Sequence, residues 1–144
     1  MIQRIQSIWL LLATLFFGYA LVPGVSLLGA EPVDASVLAD GLIQVWESHI
    51  LSSGAAISTI LSLAAIFLYK HRPNQILLAS LAALCQILLV LLSSFYMSFK
   101  LGRMDDMRLD WGSFTGFAGV VLIWLAARAI RKDEEKVRSM DRLR

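Results

Sequence analysis

The chain has 144 residues, of which 58% are apolar and only 17% are charged. Soluble domains carry roughly 25% charged residues, so this composition disfavours an ordinary soluble domain. The length indicates a single domain over residues 1–144. The lone cysteine, Cys85, excludes an internal disulfide, and the two histidines lie far apart without further ligand-type residues. We therefore expect neither a metal site nor another cofactor.

Four long apolar runs dominate the chain, at about residues 5–28, 50–69, 75–99 and 111–130. Arg128, near the end of the fourth run, is their only ionisable side chain apart from the thiol of Cys85 and the tyrosines. Each run approaches or exceeds the roughly 20 residues needed to cross a hydrocarbon core about 30 Å thick. Backbone polar groups in lipid must be satisfied within the segment, so the runs are expected to be helices. The sequence predicts an all-α integral membrane protein with four transmembrane helices in an up-down bundle.

The first run is far longer than the apolar part of a signal peptide, which favours a retained helix. Pro23 and Gly24 are expected to kink or end this helix, leaving residues 25–28 at the membrane interface. The next connection, residues 29–49, contains acidic residues but no Lys or Arg. Its apolar spacing is near-helical but is interrupted by Gly41, so a short surface helix remains an open alternative.

The other two connections differ in length and charge. The segment Lys70–Asn74 is a short basic turn, which makes the second and third helices antiparallel neighbours. Pro73 suits the start of the third helix. Residues 100–110 contain three cations and three anions. We expect the acids of this segment, Asp110 among them, to be neutralised by its arginines rather than to bind a cation.

The distribution of cations predicts the orientation. With four crossings, both termini and the Lys70–Asn74 turn share one side of the membrane. That side carries ten of the 13 Lys and Arg residues. Cytoplasmic flanks of membrane helices are rich in these residues, so both termini are expected to be cytoplasmic.

Polar residues within the runs are few and uncharged. The absence of a carboxylate or histidine at mid-membrane disfavours a proton-coupled pump or transporter. Small residues at four-residue spacing, together with a central glutamine in the third run, are typical of helix packing within a bundle or between protomers. The residues predicted to pack helices together are Gly54, Ser58, Ser62, Gln86, Gly112 and Gly116.

The segment after the fourth run, residues 131–144, lacks Gly and Pro, so the helix is expected to continue into the cytoplasm. It is either a solvated flank or a docking helix. From Arg128 onwards there are seven cations and four anions, which favours anionic lipid headgroups and argues against DNA or RNA. The predicted docking residues are Arg131, Lys132, Lys136, Val137, Arg138, Met140, Arg142, Leu143 and Arg144.

Three segments resemble a known family: the opening Met1–Ile8, the Tyr69–Arg72 turn followed by Gln75 and Ile76, and the closing Arg131–Arg144. They resemble a four-helix inner-membrane family of Bacteroidota, a domain of unknown function, over essentially the whole chain. The resemblance implies a single-domain protein of a bacterial inner membrane. It supplies no reaction, ligand or catalytic residue.

Two functional hypotheses follow. The first is a non-enzymatic inner-membrane subunit or assembly factor that packs against a larger membrane complex, with protein export or insertion as one candidate host. Its partners would be other membrane-protein subunits or further copies of itself, and anionic lipid headgroups. The alternative is a small oligomeric transporter or channel without proton coupling, in which Gln86 and the serines line a path.

Overall fold

A computed structural model describes residues 2–29, 41–101 and 108–141 of the chain. Within them, the side chains of residues 2–4, 94, 97, 98, 100, 101, 136–138, 140 and 141 are not described. The structure is mostly helical. Its elements are α1 (Ile2–Tyr19), β1 (Ser26–Gly29), β2 (Leu42–Gln44), a 3₁₀ turn (Val45–Glu47), α2 (His49–Phe67), α3 (Arg72–Leu101), β3 (Arg108–Leu109) and α4 (Trp111–Asp141).

Among the described residues, three helices are long and apolar enough to cross a membrane, over His49–Phe67, Arg72–Ser93 and Trp111–Glu135. Within each of these spans, only 28% to 39% of the residues are buried by the rest of the described chain. Most of their apolar surface therefore needs another cover, and lipid tails supply one. A fourth apolar helix, Ile5–Tyr19, is shorter.

The first helix ends earlier than the sequence predicted. The expected helix over 5–28 is wrong beyond Tyr19, because residues 20–24 form turns. Leu21 N donates to Gly18 O and Val25 N to Val22 O, which replaces the helical hydrogen-bonding pattern. Pro23 has no N–H to continue a helix, and Gly24 has a φ of 87°, in the left-handed region. The chain then enters β1 at Ser26, whereas residues 25–28 were expected only to lie at the membrane interface.

A small antiparallel sheet corrects the all-α prediction. Its strand order is β2-β1-β3, and Leu28 of β1 pairs with Ile43 on one side and Leu109 on the other. Buried residues of the sheet form one core cluster with Ala55 of α2 and Leu89 of α3. In the predicted connection 29–49, residues 42–47 are strand and 3₁₀ turn; residues 30–40 lie outside the described residues, so the surface-helix alternative there stays open.

Helices α2, α3 and α4 lie where the sequence predicted them, and only their first or last residues differ. Helix α2 begins and ends one or two residues earlier than predicted. Helix α3 begins at Arg72, so the expected start at 75 is late. Pro73 lies in its first turn, where a missing N–H leaves no bond unmade. Helix α4 runs beyond residue 130 without interruption as far as Asp141.

The helix pairs α1–α4 and α3–α4 each run in opposite directions. Along α1 and α4, Gln6 contacts Ala129, whereas Phe17, eleven positions later, lies against Gly119. Between α3 and α4, Arg72 at the start of α3 pairs with Asp133 near the end of α4. A second core cluster, which includes Leu10, Phe17, Ala79 and Ile123, fills the space between these helices.

Candidate functional site

Polar contacts lie at several levels along the helices, and one of them is built around Gln86. Ser58 Oγ of α2 lies 3.1 Å from Gln86 Oε1 of α3 and 2.9 Å from Ala55 O, so its one hydroxyl hydrogen is shared between two acceptors. The side chains of Ser58 and Gln86 are fully buried. A Cβ on Gly116 of α4 would lie 2.5 Å from Gln86 Nε2. Gly116 therefore makes room for the amide. Three of the predicted packing residues, from three helices, meet at this point.

A second polar contact joins α1 to α2. Thr14 Oγ1 donates to Leu10 O at 2.8 Å and lies 2.7 Å from Ser62 Oγ. Because Thr14 has a single hydroxyl hydrogen and directs it to Leu10 O, Ser62 is the donor in the pair. Ser62, predicted to pack helices, thus contacts a different helix from the one that Ser58 contacts.

The two other predicted packing glycines have different neighbours. A Cβ on Gly54 would lie 3.4 Å from a methyl carbon of Leu89, which is an ordinary contact. A Cβ on Gly112 would lie 2.6 Å from the backbone oxygen of Ser26. Gly112 therefore lets the start of α4 approach the backbone of β1.

This approach is part of a junction between the sheet and α4. Ser113 Oγ donates to Leu27 O at 2.6 Å, and Asp110 N donates to the same oxygen at 3.1 Å. The Asp110 carboxylate accepts hydrogen bonds from the Ser26 hydroxyl and from Trp111 N at 2.8 Å. Asp110 thus ties β1 to the first turn of α4. Of the two arginines predicted to neutralise Asp110, Arg103 lies outside the described residues, and Arg108 forms no ion pair with Asp110 within them.

Two buried glutamines, Gln6 of α1 and Gln75 of α3, lie at the other end of the helices from the junction between β1 and α4. Gln6 Nε2 donates to Ala129 O at 3.4 Å. Gln75 is only 1% exposed, yet neither of its amide atoms has a hydrogen-bond partner among the described residues, and the same holds for Gln86 Nε2. A buried amide without a partner is costly, so Gln75 is the least satisfied polar side chain of the described interior.

Residues 131–141 of α4 lie beyond its predicted end and are called the α4 extension below. One ion pair connects this extension to the start of α3. Arg72 Nη2 lies 2.7 Å from Asp133 Oδ2, with side-chain exposures of 21% and 14%. The contact holds the extension against the start of α3.

An open groove of about 820 Å³ separates α3 from α4 on the outer surface. Its apolar part is lined by Leu84, Ile87, Val120, Ile123 and Trp124. Three cations, Arg128, Arg131 and Lys132, line the other part together with Glu135. The Arg128 guanidinium carbon lies 5.5 Å from the centroid of the Trp124 ring, within cation–π range.

The structure brings together only part of the predicted docking tail. Arg131 and Lys132 are exposed and line the groove. The side chains of Lys136, Val137, Arg138 and Met140 are not described, and Arg142, Leu143 and Arg144 lie outside the described residues. The apolar stripe expected along the tail therefore stays a prediction.

In the part of the chain that the structure describes, no group of three or more His, Cys, Asp and Glu side chains comes together as metal ligands would. His49 and His71 are both exposed, at the starts of α2 and α3. Cys85 is half-buried in α3.

Sequence reasoning missed the Ser26–Asp110 junction, the Arg72–Asp133 pair and the groove. The first was hidden because residues 25–28 were expected to adjoin a helix rather than to form a strand. Arg72 was considered only as a cation that sets orientation. The run of acids at 133–135 opposite a basic turn was the signal that could have indicated the second.

These features define a mostly helical protein in which three of the described helices are long and apolar enough to cross a membrane. Buried polar side chains connect neighbouring helices. A model of the domain of unknown function DUF4293 matches residues 2–143. The chain belongs to the DUF4293 family. No curated protein and no solved structure matches it significantly.

Proposed function

We propose that all four helices cross a bacterial inner membrane as an up-down bundle, with both termini cytoplasmic. The position of α1 supports this topology. Helix α1 accompanies α4 from Ala129, beside Gln6, to Gly119, beside Phe17. It therefore extends over the same depth as the middle of α4. Its 18 residues measure about 27 Å at 1.5 Å per residue, close to the thickness of a hydrocarbon core.

Charge supports the direction of insertion. The ion pair Arg72–Asp133 places the basic turn and the extension of α4 at the same end of the helices. Arg128, Arg131 and Lys132 lie at this end too. An end rich in Lys and Arg is the one retained in the cytoplasm.

Within this topology, the protein is a non-enzymatic accessory subunit or assembly factor that packs against a larger membrane complex. One observation carries the proposal: an exposed stripe along α4 that is rich in aromatic residues. Its members are each at least 42% exposed, namely Trp111, Phe114, Phe117, Val121 and Trp124. Aromatic residues, Trp above all, are enriched at the energetic centres of protein interfaces.

The exposed face of α3 differs from the α4 stripe in its residue types. Its large side chains are mostly leucines, Leu77, Leu81, Leu84, Leu88 and Leu91 among them. Leucine is sufficient for contact with lipid tails, because it is as apolar as they are. Trp111, at the start of the span Trp111–Glu135, is at the position of an interfacial aromatic belt, but Phe114, Phe117 and Trp124 lie deeper in that span. The aromatic character of α4 is thus more than lipid exposure requires.

The interior favours a role at the surface. The ring of Phe17 fills the space beside Gly119, where a Cβ would lie 2.5 Å from the nearest ring atom. The amide of Gln86 fills the space beside Gly116. The small-residue positions are therefore filled by side chains of this chain itself. Polar side chains at these levels join helices instead of facing an open path.

The alternative, a small oligomeric transporter or channel without proton coupling, draws support from a different observation. The unpartnered amide atoms of Gln75 and Gln86 are polar groups inside an apolar bundle. They could contact a solute if the helices separated. We rank this alternative second because the packing around Gly116 and Gly119 would first have to open.

Site-specific photo-crosslinking in intact cells tests the first proposal. A benzoylphenylalanine residue replaces Phe117 or Val121 in α4, and Ile60 of α2 or Leu91 of α3 in matched controls, which are also exposed and apolar. We expect the α4 positions to crosslink to one membrane protein that co-purifies in mild detergent in constant proportion. The control positions should not crosslink to it, and a Phe114→Leu, Phe117→Leu variant should lose it.

Crosslinks from α4 to a second copy of this chain alone, combined with solute passage through reconstituted liposomes, would establish the alternative instead. Equal crosslinking from all four positions would show that the α4 stripe is not an interface.

A further inference from the structure

The groove between α3 and α4 exists because small residues face each other there. Ser80 and Ala83 of α3 and Ala127 of α4 all line it, and their short side chains leave space between the helices. Larger side chains, such as Leu84 and Trp124, stand beside them. The result is an indentation of about 820 Å³, within the roughly 300–1,000 Å³ typical of ligand sites.

Charge is distributed unevenly along this groove. From Val120 to Ala127 its α4 wall is apolar over about 10 Å of helix, at 1.5 Å per residue. The next stretch carries Arg128, Arg131 and Lys132 against the single acid Glu135. Of the two other acids nearby, Glu134 does not line the groove, and Asp133 is paired with Arg72 at 2.7 Å. It is therefore engaged away from the groove, and the groove end keeps an excess of positive charge.

Trp124 lies where the apolar part meets the cationic part. Its ring packs against the Arg128 guanidinium at 5.5 Å. Arginine keeps its hydrocarbon stem against apolar surface and extends its charged end towards the aqueous side. The pair therefore brings a positive charge to the end of the apolar wall, where the phosphate of a lipid whose acyl chain lies along that wall would be placed.

We infer that this groove is a binding site for an anionic diacyl phospholipid, with an acyl chain along the apolar wall and the phosphate at Arg128, Arg131 and Lys132. The charge of the site complements an anionic headgroup, and the apolar wall complements a hydrocarbon tail. A free phosphate ester would use only half of the groove. The inference goes beyond the accessory role proposed above and shares with it the placement of the helices in a membrane and one residue, Trp124, which borders both surfaces.

Native mass spectrometry of the full chain in neutral detergent tests the site, with phosphatidylglycerol and phosphatidylcholine of identical acyl chains as probes. We expect selective retention of phosphatidylglycerol. An Arg128→Gln, Arg131→Gln variant should bind it about thirtyfold more weakly, since each cation near an anionic surface contributes about fivefold. Arg108→Gln removes an exposed cation outside the groove and should leave binding unchanged.

A second pair of variants tests the apolar part without altering charge. Ala127→Leu fills the groove and should weaken phosphatidylglycerol binding. Ala118→Leu makes the same change at an exposed position of α4 that does not line the groove, and it should have no effect. Circular dichroism of each variant checks that the helices are retained, and the two independent pairs keep the test decisive if one variant fails to fold.

Three results would overturn the inference. Equal binding of both lipids to the unmodified chain would remove the headgroup selectivity. Undiminished phosphatidylglycerol binding by both groove variants would place the lipid elsewhere. Displacement of the lipid by glycerol 3-phosphate at similar concentration would show a site for a soluble phosphate ester. Crosslinking at Phe117 is measured separately, so loss of the lipid site and loss of the accessory role are distinguishable.

Discussion

At the scale of single residues, glycine has different roles at three positions of this bundle. Gly112 adjoins a backbone oxygen, Gly116 adjoins the end of a flexible side chain, and Gly54 adjoins a leucine methyl group at ordinary distance. A backbone atom held in a sheet cannot withdraw, whereas a glutamine amide can rotate away. The same substitution should therefore have graded consequences.

We predict that Gly112→Ala lowers the free energy of unfolding by about 1–3 kcal/mol, the usual range for overpacking. Gly116→Ala should cost less, because Gln86 can move and give up its bond with Ser58. Gly54→Ala should be neutral or stabilising by up to about 1 kcal/mol, since alanine favours a helix more than glycine. Thermal unfolding in detergent, followed by circular dichroism, measures all three, and an equal loss in all three would contradict this order.

The unpartnered amide of Gln75 leads to a second prediction at this scale. Replacing a buried polar group that has no partner by an apolar one of similar size removes a desolvation penalty. Gln75→Leu should therefore be neutral or stabilising. Gln6→Leu, which loses a hydrogen bond to Ala129 O, should cost about 0.5–1.5 kcal/mol.

The same thermal unfolding assay compares the two glutamine variants. A marked loss of stability in Gln75→Leu would show that its amide has a partner in the membrane.

At the scale of elements, the positions of the three long helices could be predicted because apolar length is a property of the local sequence. The sheet could not, because its strands have only two to four residues each and pair across large sequence separations. Leu28, for example, pairs with Leu109. Pro23 and Gly24 marked the end of α1, but nothing local indicated that residues 26–29 would find strand partners.

The candidate site, too, could be predicted from the sequence only in part. Gln86, Ser58 and Gly116 could be selected from residue type and spacing, since small and polar residues are frequent at helix contacts. Which of them would meet depended on the relative shift of three helices, which the sequence pattern does not contain. The groove was also beyond sequence reasoning, because it arises where small residues of two different helices happen to face each other.

The contact between the extension of α4 and the start of α3 gives the prediction at this scale. Reversing either charge, by Arg72→Asp or Asp133→Arg, should increase hydrogen exchange in the last turns of α4. The double variant, Arg72→Asp with Asp133→Arg, should restore protection from hydrogen exchange, because two opposite charges then attract each other again with their positions reversed. The pair is partly exposed, so we expect an effect of about 1 kcal/mol or less.

Arg108→Asp provides the control for the ion pair, since it reverses an exposed cation on β3. It should leave exchange in the α4 extension unchanged. If the change in hydrogen exchange in the double variant equals the sum of the changes in the two single variants, the two side chains do not stabilise each other.

At the scale of the whole molecule, the number of crossings decides the topology. Three apolar helices meet the length needed for a span, and α1 is shorter. Three crossings would put the N-terminus and the basic turn on opposite sides of the membrane, whereas four put them on the same side. The packing of α1 along α4 and the excess of cations at one end both favour four.

Cysteine accessibility tests this topology in a Cys85→Ser background. We expect a membrane-impermeant maleimide added to intact spheroplasts to label Glu47→Cys, which lies before α2 at the outer end. His71→Cys in the basic turn and Met140→Cys in the extension should react only after permeabilisation. Gln3→Cys is the decisive position, because it should behave like position 71 if α1 crosses and like position 47 if it does not. Labelling of position 3 from outside would leave three spans, and the lipid groove would keep its cytoplasmic end only if position 71 stayed protected.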